Sequence, residues 1–172
     1  NYYTKWIQVY PTVQSLSDSN IDSILKLWEG LGYYQRAHNI HKASQVIVSK
    51  YNCEIPNSYE ELMQLPGIGD YTACAILSIA FNKKLPAIDG NLKRVISRLY
   101  ALSNSGNMMK LFKEKVSLFM DNKNSGQINQ AFMDLGREIC TPKIPKCDFC
   151  PLQSDCIAYL NKQINHFPEK IK

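Results

Sequence analysis

Leu65-Pro66-Gly67-Ile68-Gly69-Asp70-Tyr71-Thr72-Ala73 is the stretch on which the reading of this chain turns. Upstream, Ser58 and Glu61 form a capping-box pattern ahead of Leu62 and Leu65. Pro66-Gly67 then stops that helix. Ala73 to Ala80 resumes an apolar helical face. The pattern predicts two helices joined by a tight turn over residues 58–81. Two glycines in such a turn let a ligand approach the backbone closely, since no Cβ intervenes. Outward-pointing amides of the turn and of the next helix's first residues would make an anion site suited to a phosphate. Ile68, between the glycines, is expected to anchor the turn to the core. A lone Gly-x-Gly is a weak signal, with a plain helix–helix turn as the bland alternative, and the two flanking helical patterns are what lift it.

Outward from this turn the periodicity stays helical. Ile21, Ile24, Leu25, Trp28 and Leu31 form one apolar stripe. Val95, Ile96 and Leu99 form another after Asp89-Gly90-Asn91. Phe112, Val116, Phe119 and Met120 make a third, and Ile128, Phe132, Leu135 and Ile139 a fourth that leads into a cysteine cluster. Strand-like alternation is nearly absent, so the expected class is all-α, with short Gly, Pro and Asn turns. Tyr2, Tyr3, Trp6, Ile7 and Tyr10 read as the apolar side of a helix ending at Pro11. A helix that begins at the first residue with neither Met nor a cap suggests a truncated chain.

Composition bounds the function. The 172 residues are enough for one or two domains with a real core. With 45% hydrophobic and 20% charged residues the chain reads as an ordinary globular protein, with no membrane span and no signal peptide. The net charge of +5 is compatible with a polyanion partner and is weak evidence for one.

The cysteines are more informative. Two stand apart, Cys53 and Cys74, and four crowd near the end: Cys140, Cys147, Cys150 and Cys156. A disulfide framework would spread its cysteines through a smaller chain. The cluster instead reads as a metal site in a reducing cytosol. Six residues separate the first pair, two the second and five the third. Four thiolates suit either tetrahedral zinc or a cubane. One Cys-x-x-Cys knuckle with two longer arms favours a [4Fe–4S] cluster. Pro142, Lys143, Pro145, Lys146 and Pro151 make the segment a compact basic loop that could meet a phosphate backbone or simply face solvent.

Asp89 and Asn91 have a simple structural reading: either could cap the helix that carries Val95 and Leu99. A functional role is compatible with that one. A carboxylate at a helix N-terminus is favoured as an anion, which suits a site where positive charge develops.

Three segments together carry a resemblance. Leu31-Gly32-Tyr33-Tyr34-Gln35-Arg36-Ala37, the stretch from Leu65 to Ala73, and Ile88-Asp89-Gly90-Asn91-Leu92-Lys93-Arg94-Val95 occur in the order and spacing of the helix-hairpin-helix DNA glycosylases. The cysteine spacing is similar to that of their iron–sulfur branch. Within it, the chain most closely resembles the MutY-type adenine glycosylases, from about Tyr2 to about Pro168. The resemblance implies a six-helix barrel domain over residues 1–135, incomplete at its start and containing the helix-hairpin-helix at 58–81. It also implies a small helical iron–sulfur domain over 136–172. Implied too is hydrolytic removal of adenine mispaired with 8-oxoguanine or guanine, from double-stranded DNA with the nucleotide flipped out. Asp89 matches the aspartate that stabilises the cationic sugar, and Asn91 a residue that orients the site. Tyr33 matches an aromatic that wedges into the base stack, where the bland reading is a core tyrosine. Gly67 and Gly69 match the phosphate-holding hairpin. Cys140, Cys147, Cys150 and Cys156 match the ligands of the [4Fe–4S] cluster. Bifunctional relatives carry a nucleophilic lysine where this chain has Tyr71, so base excision without efficient strand cleavage is expected.

The same resemblance implies a monomer acting in a bacterial cytoplasm at the nucleoid. It places the family's general-acid glutamate before Tyr2, and the 8-oxoguanine-reading domain beyond the end of this chain. The 172 residues by themselves are therefore expected to be impaired. Two alternatives stay open: a bifunctional endonuclease III-like glycosylase-lyase, and a non-catalytic DNA-binding iron–sulfur module.

Overall fold

A computed structural model describes residues 2–104, 106–121 and 123–169. Among these there are ten α-helices, short 3-10 turns and no strand, as the periodicity predicts. The chain divides into two compact units, Asn1–Ala73 and Cys74–Lys172.

In the first unit α1 (Tyr2–Val9), α2 (Val13–Ser17), α3 (Ile21–Leu27), α4 (Gln35–Lys50) and α5 (Tyr59–Leu62) precede the start of α6 (Asp70–Phe81). Tyr10, Leu16, Ile24, Trp28 and Ala37 form its core, with Trp6, Ile21 and Leu25 packed against them. The stripe over residues 21–31 is present, but helix α3 ends at Trp28 and Leu31 lies partly exposed beyond it. Helix α1 differs more from expectation. Tyr2, Tyr3 and Ile7 are exposed, and the segment is held through Trp6, whose ring meets Tyr10 and Trp28 edge-on at 5.2 and 5.5 Å. The long α4 buries only Ala37, Ala43, Ser44 and Ile47, mostly small residues, which is why no apolar stripe announces it. Ser58 caps α5 by accepting from the Glu61 amide at 3.2 Å. Glu61 departs from the box pattern: its carboxylate accepts from the Ser58 hydroxyl at 2.9 Å.

In the second unit α7 (Gly90–Leu99) is the central element. Leu92, Val95, Ile96 and Leu99 pack with Phe112 and Val116 of α8 (Met108–Ser117), with Met120, and with Phe132 of α9 (Ser125–Glu138). Two 3-10 turns (Cys147–Phe149, Gln153–Asp155) and α10 (Ile157–Leu160) carry the cysteine segment, and α10 packs on α7. The cysteine segment thus shares a unit with α7, α8 and α9.

Candidate functional site

The turn between α5 and α6 is built on one glycine that has no substitute. Gly67 has φ +79°, and a Cβ there would stand 2.6 Å from the Asn39 Cβ of helix α4. Gly69 has ordinary dihedrals, and a Cβ there would meet nothing. Its surface is open, which suits close approach of a ligand. The Ile68 amide donates inward to the Leu65 carbonyl at 3.2 Å, so that amide closes the turn rather than facing a ligand. Ile68 itself is half-buried. Tyr71 follows in the first turn of α6 with 40% of its surface exposed.

Tyr33 lies in the same unit, on the connection between α3 and α4. It has φ +47° and is 86% exposed, so it is no core tyrosine. Its loop is held from below. The Trp28 indole donates to the Gly32 carbonyl at 3.0 Å. The Arg36 guanidinium lies over both the Trp28 and Tyr33 rings, at 5.2 and 5.8 Å, and donates to the Leu31 carbonyl at 3.2 Å. A large ring is thus presented to solvent on a braced backbone in a conformation that L residues rarely adopt.

Asp89 and Asn91 lie in the second unit. Asp89 is the N-cap of α7, its Oδ1 accepting from the Leu92 amide at 2.7 Å. Its Oδ2 accepts from Asn91 Nδ2 at 3.0 Å. Capping therefore accounts for Asp89 locally, while the second oxygen is oriented by Asn91. Asn91 is held in turn: its Oδ1 accepts from Arg94 at 2.9 Å, and Arg94 also donates to the carbonyls of Gly136 and Cys140, at 2.6 and 2.7 Å. A Cβ on Gly136 would stand 2.6 Å from the Asn91 Cβ, so that glycine is what lets α9 come against the start of α7.

Cys140, Cys147, Cys150 and Cys156 line one apolar cavity with Leu99, Leu135 and Ile164. Among the described residues no three His, Cys, Asp or Glu side chains gather as a single ion would require. The four thiols that line this cavity are the donor type of either zinc or an iron–sulfur cubane. Burial pushes the Cys147, Cys150 and Cys156 thiols up, and the other cysteines push Cys147 up further. Arg98 faces the same cavity with 2% exposure. It donates to the carbonyls of Thr141, Pro142 and Phe167, at 2.8, 3.0 and 3.0 Å, and to Cys140 Sγ at 3.4 Å. A buried cation that ties three carbonyls and a thiol can compensate thiolate charge. On the same segment Ile144 and Phe149 are 82% and 79% exposed.

Arg94 and Arg98 are the residues that sequence reasoning missed. Both look like solvated helix charges. The available signal was register: Arg98 follows Val95 by three positions, so it shares the buried face of α7.

A family model described as "HhH-GPD superfamily base excision DNA repair protein" matches residues 1–118. An adenine DNA glycosylase of Buchnera aphidicola subsp. Baizongia pistaciae is 45% identical over 164 residues, which cover 95% of this chain and 47% of that one. The adenine DNA glycosylase of Homo sapiens is 38% identical, covering 92% of this chain and 30% of its own length. The chain thus spans about half the length, or less, of these curated relatives. Among solved structures, a thermostable thymine-DNA glycosylase superposes with a TM-score of 0.81 at 26% identity, covering 93% of this chain and 75% of that one. A non-covalent endonuclease III–DNA complex follows at 0.79 and 25%, covering 94% and 75%.

Proposed function

Since this chain belongs to the HhH-GPD superfamily of base excision DNA repair proteins, we propose that it is the core of a monofunctional adenine DNA glycosylase. Its substrate is duplex DNA with adenine opposite 8-oxoguanine or guanine. The observation that carries the reading is the Asp89 carboxylate, fixed at the start of α7 with one oxygen bound by the helix and the other oriented by Asn91.

The chemistry follows from charge. The adenosine is flipped out of the stack, with Tyr33 wedged into the base stack beside the lesion and the Gly67–Gly69 turn holding a backbone phosphate. The bond between the sugar and the base nitrogen breaks, and its electron pair leaves with adenine. The sugar becomes an oxocarbenium-like cation, which the Asp89 anion balances directly or as a transient adduct. Water adds to the sugar carbon, displacing the carboxylate where an adduct has formed, and the proton it loses replaces the one taken up by the departing adenine. By the resemblance Tyr71 takes the place of the nucleophilic lysine and cannot form an imine, so the strand stays intact. Adenine leaves poorly unless a ring nitrogen is protonated. By the resemblance the acid that supplies this proton is a glutamate.

Cys140, Cys147, Cys150 and Cys156 would hold a [4Fe–4S] cluster, with Arg98 compensating its charge. When bound, the cluster ties the 140–156 loop together as a cross-link. In functional terms the division runs at 135/136, with the cluster segment as a DNA-contacting appendage. The protein is proposed to work as a monomer on bacterial nucleoid DNA. Among the described residues no helix is long and apolar enough to cross a membrane.

The test is single-turnover adenine release from an adenine:8-oxoguanine duplex, using a polypeptide of the relatives' length, with and without later alkali. Adenine release with strand breaks only after alkali is expected. Efficient nicking without alkali would favour the endonuclease III-like alternative. Duplex binding without any base release would favour the non-catalytic one.

A further inference from the structure

We propose that Asn129, deep in helix α9, is a positioning residue for Asp89. The proposal rests on the glycosylase reading above. Residues 82–88, between α6 and α7, form no regular element, yet Pro86, Ala87 and Ile88 are buried. Buried backbone of this kind must find partners outside a helix or sheet.

Asn129 supplies them. It is 0% exposed. Its Oδ1 accepts from the Ala87 amide at 3.0 Å, and its Nδ2 donates to the Leu85 carbonyl at 2.9 Å. One side-chain amide therefore holds an N–H and a C=O of the same segment, as a neighbouring strand would. The second Nδ2 proton goes to Ser78 Oγ at 2.8 Å, and that hydroxyl donates to the Ala75 carbonyl at 3.2 Å. Every polar atom of the amide is used, and each contact spans more than forty residues of sequence.

Gly126, one helical turn earlier on α9, makes the reach possible. A Cβ there would stand 2.8 Å from both the Ile79 Cα and the Ser78 carbonyl oxygen. The two helices touch through backbone, and the short Asn129 side chain can then bridge to the 85–87 segment. That segment runs through buried Ile88 directly into Asp89. The height of the carboxylate above the start of α7 is set by two hydrogen bonds from α9. None of these contacts involves Asp89, so Asn129 acts through the backbone and touches no reacting atom.

The experiment compares two substitutions in the full-length polypeptide. Asn129→Asp keeps the volume and the acceptor for Ala87 and loses the donation to Leu85. Asn129→Ala serves if the buried carboxylate prevents folding. Ser78→Ala is the control, because it removes a partner of Asn129 and leaves both loop contacts. Single-turnover adenine release should fall about 10- to 100-fold in the Asn129 variant, with duplex Kd within about 3-fold of wild type, an effect of under 1 kcal/mol. Ser78→Ala should lower Tm and leave the rate within about 2-fold. Equal rate losses in the two variants would overturn the proposal, as would loss of rate and affinity together. If the wild-type polypeptide releases no adenine, the glycosylase reading fails, and Asn129 is judged by amide hydrogen exchange. Lost protection at Leu92, whose N–H caps on Asp89, in the Asn129 variant but not in Ser78→Ala supports the positioning role. Retained protection rejects it.

Discussion

The Arg94 guanidinium donates to the backbone carbonyl of Cys140 across 2.7 Å, joining the root of the cysteine loop to helix α7. A second nitrogen of the same side chain binds Asn91, and Asn91 binds Asp89. The carboxylate proposed to face the sugar is thus three hydrogen bonds from the backbone of a proposed cluster ligand.

Replacing Arg94 by Lys keeps the charge but loses the planar fork that spans Cys140, Gly136 and Asn91. Adenine release should fall about 10-fold or more, consistent with losing one or two charged hydrogen bonds at about 1.5–3 kcal/mol each. Iron content should stay near wild type. Single-turnover kinetics beside an iron assay checks this, and an unchanged rate would separate Asn91 from the arginine.

Asp89→Asn removes the anion yet leaves an oxygen that can still cap the Leu92 amide, since Asn and Asp are comparable N-caps. Thermal stability should change little. Adenine release should vanish while mispair binding persists in a gel-shift assay. Retained turnover would remove Asp89 from its role.

Gly67→Ala forces a Cβ into the space of Asn39 at φ +79°. The cost should be about 1–3 kcal/mol in urea unfolding, with weaker duplex binding. Gly69→Ala meets no steric obstacle. It should leave stability within about 1 kcal/mol and reduce only the affinity for DNA. Equal stability losses would contradict the geometry of the turn.

Cys147→Ser should cost cluster loading, read as iron per chain and as visible absorbance, together with DNA affinity. An unchanged iron content would refute that ligand assignment.

Tyr33→Ala should barely alter Tm, because the ring is exposed and its removal opens no cavity. Adenine release from duplex should drop while non-specific binding holds. A large fall in Tm would instead mean that the ring is structural.

Much of this protein is written in short-range order. The stripe Val95, Ile96 and Leu99, the glycine turn at Gly67 and the cap at Asp89 each involve residues within a few positions of one another, so helical period and turn chemistry reveal them directly, although α5 ends at Leu62, short of the stop expected at Pro66-Gly67. The cysteine spacing is legible for the same reason, since a knuckle is a local turn. Helix α4 was not, because burial of small residues leaves little contrast between its faces. Nor were the roles of Arg94, Arg98 and Asn129. Each is a polar side chain in a helix that also takes up partners some 42 to 69 positions away. Asn129 and Arg94 reach theirs where glycines at 126 and 136 let α9 approach its neighbours. Period and spacing carry no information about that approach, because close packing and the pairing of buried polar groups are properties of the assembled core.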